Sequence, residues 1–298
     1  MGISDFSRVQ GSADVLLVPK HLEIKPRPRG TPAQDIVIPR MGISAIPAAM
    51  RQMGWTVSAA LMDRWFASPG WAMPEEWKQQ GGQPLATRIP IAHRDTQIVS
   101  MEWAAKYARA RSAISTLMEK IPTAPTILQL KRRLSTLAHD GTGVLQLGHP
   151  GMSAIQLEDM CQVNFQAFSN SWDIMDDMYG ALGRATMKMA FVGRAIRAGA
   201  TEPYRFRLAH VGLYIRDNYD FNDDQPLGIW TESGVLNKSE MVANLFLDAL
   251  AFDWHGEPIG QASNRSFRDF RARTGRGGDF VLYSDVLWRN VDMTLDLA

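Results

Sequence analysis

A chain of 298 residues that is 45% hydrophobic holds enough apolar material for one large core or two smaller ones. Lys and Arg total 32 against 31 Asp and Glu, so no strong global field draws it toward nucleic acid or an anionic membrane. Cys161 is the single cysteine, which excludes an intrachain disulfide and a multi-cysteine metal site.

The first residues lack the basic region and apolar core of a signal peptide. No window of about 18 uninterrupted apolar residues predicts a membrane span. Gly2 does not open a lipidation motif, because the sixth position is Phe6 rather than Ser or Thr. The expected location is the cytoplasm of the producing cell, and an apparatus must carry the protein if it acts elsewhere.

Residues 1–40 read as an extended arm, with prolines 26, 28 and 32 interleaved with Lys25, Arg27 and Arg29. Helix signals begin at Ile46-Pro47, and Met50, Met53, Val57, Leu61 and Trp65 recur on one face. That face suits a core or, for Ala48–Leu61, a partner's groove. Ser68-Pro69-Gly70 ends the run, and residues 69–98 are turn-rich. A second helix starts near Ser100, burying Trp103, Tyr107, Ile114 and Leu117. A third, from Thr126, aligns Ile127, Leu130, Leu134 and Leu137.

The pattern then turns to period two. Cys161, Val163, Phe165 and Ala167 alternate with polar residues, as do Met187, Met189 and Phe191. Gly199–Pro203 is a turn, and Tyr204, Phe206 and Leu208 open a strand running through Ile215, so a long hairpin is expected. Leu227–Trp230 and Val235-Leu236 flank a tight connection. Asn237 with Glu240 predicts a helix through Ala249. Asn264 caps a short helix broken by Gly275, Gly277 and Gly278, and Phe280–Tyr283 and Val291–Leu297 close as strands. Arg265, Arg268, Arg271, Arg273 and Arg276 are interrupted by Asp and Phe, as on a mixed helix surface. The expected class is α+β, with 41–150 mainly helical and 151–298 an antiparallel β-rich domain.

The chemistry concentrates in residues 213–224. An apolar strand delivers Asp217, Asp220, Asp223 and Asp224 into eight residues, with Tyr219, Asn218 and Asn222 among them and Arg216 as the cationic neighbour. So many like charges are costly unless water, a cation or an electrophile compensates them. The segment is therefore a solvated turn, a loose Mg²⁺ or Ca²⁺ site, or a catalytic site. Asp220-x-Asn222-x-Asp224 matches the first ligands of an EF-hand, but Gln225 and Thr231 replace its required Gly and Glu.

Asp217-Asn218-Tyr219-Asp220 resembles the Asp-x-Tyr-Asp signature of colicin M-type bacteriocins, which cleave the lipid-linked peptidoglycan precursor lipid II with a divalent ion. The resemblance implies a metal-dependent hydrolase, with Asp217 binding metal or attacking, Asp220 a base or metal ligand, and Asp224 a further ligand. Tyr219 would orient substrate oxygens, and His255 would serve as the acid. The pattern departs from that family where its His-Arg pair should stand, nine and ten residues after the first Asp, at Pro226 and Leu227. His210, His255, Arg216 and Arg268 are the candidate replacements.

A wider set of residues is similar to an uncharacterised family of proteobacterial proteins associated with type VI secretion genes. It comprises Ile46-Pro-x-x-Met50-x-x-Met-Gly-Trp55, Tyr179–Arg184, Tyr214–Asn222, Gln225–Trp230 and Gly277–Phe280 with Ser284-Asp285. This resemblance implies an antibacterial effector delivered to the periplasm of a target cell, with an immunity protein or secretion component as partner. The alternative is a non-catalytic adaptor or structural cargo protein of the same apparatus. Neither a zinc-protease histidine pattern nor a Gly-x-Ser-x-Gly elbow occurs.

Overall fold

The computed structural model describes residues 6–9, 16–19, 41–79, 82–137, 143–168, 174–182, 185–197, 203–222, 226–236 and 260–297. The proline-rich run of the arm and the helix expected over 237–249 lie outside them. In the arm, β1 (Phe6–Val9) and β2 (Leu16–Pro19) pair antiparallel.

The first helical stretch is two helices, α1 (Ile46–Gln52) and α2 (Thr56–Ala67). Pro47 sits in the first turn of α1, where its missing N–H costs nothing. Gly54, at φ 78°, turns the chain between them. Their apolar face, with Ile46, Ala49, Met50, Ala59, Leu61, Met62 and Trp65, is buried. It is core, not a free surface for a partner. β3 (Arg94–Asp95) follows, then α3 (Met101–Ala104), α4 (Ala108–Glu119) and α5 (Ala124–Ser135). The helix expected from Ser100 is thus broken at residues 105–107, with Ser100 capping α3 through the Trp103 N–H.

The second half contains β4 (Val144–Leu147), α6 (Ala154–Met160), β5 (Gln162–Phe168), α7 (Asp177–Leu182), β6 (Ala185–Ile196) and β7 (Arg205–Tyr219). After these come β8 (Pro226–Thr231), β9 (Gly234–Val235), β10 (Gly260–Ser263), α8 (Asn264–Thr274), β11 (Phe280–Tyr283) and β12 (Leu287–Asp296). The β6–β7 hairpin is the spine, paired antiparallel from Thr186↔Arg216 to Ile196↔Arg205. Two shorter strands lie end to end along each side of it: β4 and β5 on β6, and β12 and β11 on β7. β3 then adds to β11 in parallel. The expectation of a purely antiparallel C-terminal sheet is corrected here, because the helical region contributes a strand. β10, β8 and β9 form a smaller antiparallel sheet.

The α+β class holds, with helices mostly in the first half and strands mostly in the second. Apolar residues of both halves form one continuous core. Its centre is aromatic. Trp65 meets Phe221 and Phe267 edge-on at 5.0 and 5.3 Å, and Phe221 stacks on Phe267 at 4.0 Å. Gly277, at φ 97°, admits the Trp65 ring, since an added Cβ would lie 2.4 Å from it. In β5 the period-two expectation fails. A register shift between Gln162 and Asn164 reverses the faces, so Cys161 and Val163 are buried while Phe165 and Ala167 are exposed. The cap of α8 is Ser263, in a capping box with Ser266, one residue before the expected Asn264.

Candidate functional site

Most interior aspartates are structural, and their partners show why. Asp177 accepts the N–H groups of Val57 (3.1 Å) and Ser58 (2.8 Å), the Ser58 hydroxyl (2.8 Å) and the Trp103 indole (3.2 Å). It thereby caps α2, whose own N-cap residue, Trp55, has no side-chain oxygen to offer. Asp95 takes the N–H groups of Gln97 and Ile98, with Arg64 3.3 Å away. Asp159 takes those of Ala86 and Thr87. Asp279 accepts from Trp65 Nε1, the Met73 N–H, Asn222 Nδ2 and Arg271.

Asp217 and Asp220 are held differently. Strand alternation puts Asp217 on the face shared with its β11 partner Leu282 and sends Arg216 to the other face. The Asp217 carboxylate accepts the N–H of Asn218 at 2.9 Å. Part of the residue's surface reaches solvent, but close packing strips water from the acid group. That desolvation pushes its pKa well above the carboxylate range, against the Asn218 hydrogen bond and the charge of Arg216; Asp220 adds to the rise. Asp220 lies just beyond β7 with its side chain 20% exposed, and Lys78 Nζ stands 3.4 Å from its Oδ2. Burial raises its pKa as well, with Lys78 and Asn222 opposing and Asp279 reinforcing. Burial alone would lower the pKa of Lys78, but Glu75 and Asp220 outweigh it and the net shift is upward.

The sign of the Asp217 shift makes a stability prediction. A carboxyl that binds its proton more tightly when folded contributes most below its unfolded pKa, and that contribution is lost as pH rises toward the raised folded value. Asp217→Asn removes this loss. The variant is expected to melt higher than the wild type at pH 8 and no higher at pH 4. Scanning calorimetry at both pH values checks it, and equal melting temperatures at pH 8 would refute it.

Tyr219 departs from the expected role. Its ring stacks on Phe280 at 5.0 Å and meets Phe221 edge-on at 5.5 Å, and burial raises its phenol pKa. It is a wall of the aromatic core behind the carboxylates. Asp224 and His255 lie outside the described residues. Of the candidate replacements for the His-Arg pair, His210 pairs with Asn290 at 3.0 Å on the strand surface, and Arg268 donates to the Phe221 carbonyl at 3.1 Å. Arg216 faces Glu158 across the sheet from Asp217. Lys78, from the turn-rich stretch, is the cation that reaches Asp220. Nothing in its spacing marked it, because the pairing is long-range.

Mg²⁺ or Ca²⁺ requires several oxygen ligands converging on one point. Among the described residues no three His, Cys, Asp or Glu side chains converge in this way. The ammonium of Lys78 already occupies the charged side of Asp220. Of the three expected ligands, Asp217 and Asp220 are among the described residues and Asp224 lies outside them.

Sequence reading also missed a second polar cluster, where Glu158 of α6 meets Lys188, Tyr214 and Arg216 of the spine. α6 itself was not expected. Its signal was the capping box Ser153/Gln156.

Among the described residues no helix is long and apolar enough to cross a membrane. No curated protein and no solved structure matches the chain. A family of unknown function, DUF6402, matches residues 41–298, and the chain belongs to that family.

Proposed function

We propose that this protein is a secreted antibacterial effector that hydrolyses a lipid-linked peptidoglycan precursor, with Asp217 and Asp220 as its acid–base pair. One observation supports the reading above the others. Asp95, Asp177 and Asp279 are each held by several donors, whereas among the described residues Asp217 accepts one backbone N–H, and its proton affinity is strongly raised. A carboxyl that holds its proton more tightly than a free one suits a general acid. Asp220, with raised basicity, suits a base, and Lys78 beside it offers a positive charge to a phosphate oxygen.

The step is addition of water across a phosphorus–oxygen ester bond of the diphosphate. The water oxygen bonds to phosphorus as Asp220 takes its proton. The ester bond breaks as Asp217 gives its proton to the departing oxygen. Tyr219 keeps Asp217 in place through the strand they share and the Phe280 stack. No step is assigned to a metal ion. Delivery by a type VI secretion apparatus, an immunity partner and action in the target periplasm belong to the same proposal.

Expression in the periplasm of a sensitive bacterium tests it. The wild type is expected to arrest growth, and Asp217→Asn to restore it at equal protein level. A wild type that is harmless and co-purifies with a secretion component would replace this reading with the non-catalytic adaptor.

A further inference from the structure

On the face of the sheet opposite Asp217, three strands bring polar side chains together under α6. Lys188 of β6 lies directly across from Tyr214 of β7, and Arg216 lies across from Thr186 on one side and Tyr283 of β11 on the other. Lys188, Tyr214, Arg216 and Tyr283 therefore share one face. α6 reaches them because Gly212 has no side chain, and a Cβ there would lie 2.8 Å from Leu157 Cδ1.

Glu158 of α6 is the acidic member of this group. Its Oε2 accepts the Tyr214 hydroxyl at 2.6 Å, and its Oε1 lies 3.3 Å from Lys188 Nζ. Arg216 Nε is 3.8 Å from the same Oε1, an ion pair too long for a hydrogen bond. Arg216 is 8% exposed, and its Nε is buried with no hydrogen-bond acceptor among the described residues. One carboxylate thus stands between two cations, and a buried guanidinium N–H is left over. A buried donor without an acceptor is costly even where the guanidinium's other contacts, to Glu158 and the Tyr283 phenol, are made. The strain shows at Lys188. Burial lowers its pKa, and the charges of Arg216 and Arg133 add to the lowering against Glu158.

The cluster comes nearest the surface at Lys188, whose side chain is 15% exposed. Phe165 and Ala167 of β5, across from Lys188 and Thr186, are exposed, and Lys188 lies 5.4 Å from the Phe165 ring centroid. A small anion entering beside Phe165 would meet Lys188 from one strand, Arg216 from the next and the Tyr283 phenol from the third. Donors on three adjacent strands suit a tetrahedral anion with oxygens on several sides, whereas a planar carboxylate engages a single fork.

We propose that Lys188 and Arg216, with Tyr283, form a binding site for a phosphate-class oxyanion. It is separate from the Asp217 site, being across the sheet from it, and stands whether or not that site hydrolyses anything.

Isothermal titration of the full chain in a phosphate-free buffer tests the proposal, with inorganic phosphate as probe and acetate as the carboxylate comparison. Saturable binding of phosphate is expected, at least about tenfold tighter than that of acetate. Lys188→Met and Arg216→Met, each confirmed as folded by its melting curve, are expected to weaken phosphate tenfold or more, and Asp217→Asn to leave it unchanged. Lys188 reaches the rim, so Lys188→Met keeps the test decisive if Arg216→Met does not fold. No saturable phosphate binding, acetate binding as tight as phosphate, or a Lys188→Met affinity equal to that of the wild type would overturn it.

Discussion

Replacing Asp279 by alanine is expected to destabilise the protein by about 3–5 kcal/mol, the range for removing one partner of a buried ion pair. The Asp279 side chain is 0% exposed and that of Arg271 is 13% exposed, so alanine leaves a nearly buried guanidinium without its counter-charge. Three further donors lose their acceptor: the Trp65 indole and the Met73 N–H, both at 2.9 Å, and Asn222 at 3.1 Å. These donors come from α2, the stretch after it and the exit of β7. Asp279, just ahead of β11, therefore ties the helical region to the sheet at one point. The loss corresponds to a fall in melting temperature of roughly 5–8 °C in a chain of this size. Asp279→Asn keeps the volume and one acceptor oxygen and should lose less than alanine. Denaturant unfolding of both variants measures the difference, and a loss under about 1 kcal/mol for alanine would show that the node carries no special weight.

That node illustrates what a sequence can and cannot display. The hairpin, the closing strands and the apolar stripes of the helices were legible because each depends on spacing within one segment. Asp279 was visible as part of Gly277–Phe280, but its four donors lie at residues 65, 73, 222 and 271, a convergence that no local pattern encodes. The reversal of faces in β5 was hidden for a related reason. A one-residue bulge leaves composition unchanged and moves Phe165 from core to surface. Among the site residues, the acidic segment stood out by charge density, and two of its carboxylates do have perturbed environments. The aromatic role of Tyr219 did not stand out, since a phenol in a polar motif reads as chemistry until Phe280 and Phe221 are found against it.

The largest expected effect on activity is at Asp217. If its carboxyl donates the proton that the departing oxygen needs, removing it should slow hydrolysis by about 10²–10⁴-fold, the usual contribution of a positioned acid or base. Asparagine is close to isosteric with the neutral acid and can make similar hydrogen bonds, but it cannot give up a proton. The higher melting temperature expected of Asp217→Asn at pH 8 separates this loss from misfolding: the inactive variant should be the more stable one. Asp220→Ala should also lose activity, because it removes both the base and the group that holds Lys78 at 3.4 Å.

Product formation from purified lipid II, compared between wild type and Asp217→Asn at equal concentration, tests the acid–base assignment most directly. The account predicts turnover by the wild type and a rate at least about a hundredfold lower for the variant. Equal rates for the two proteins, or no product with the wild type, would contradict it.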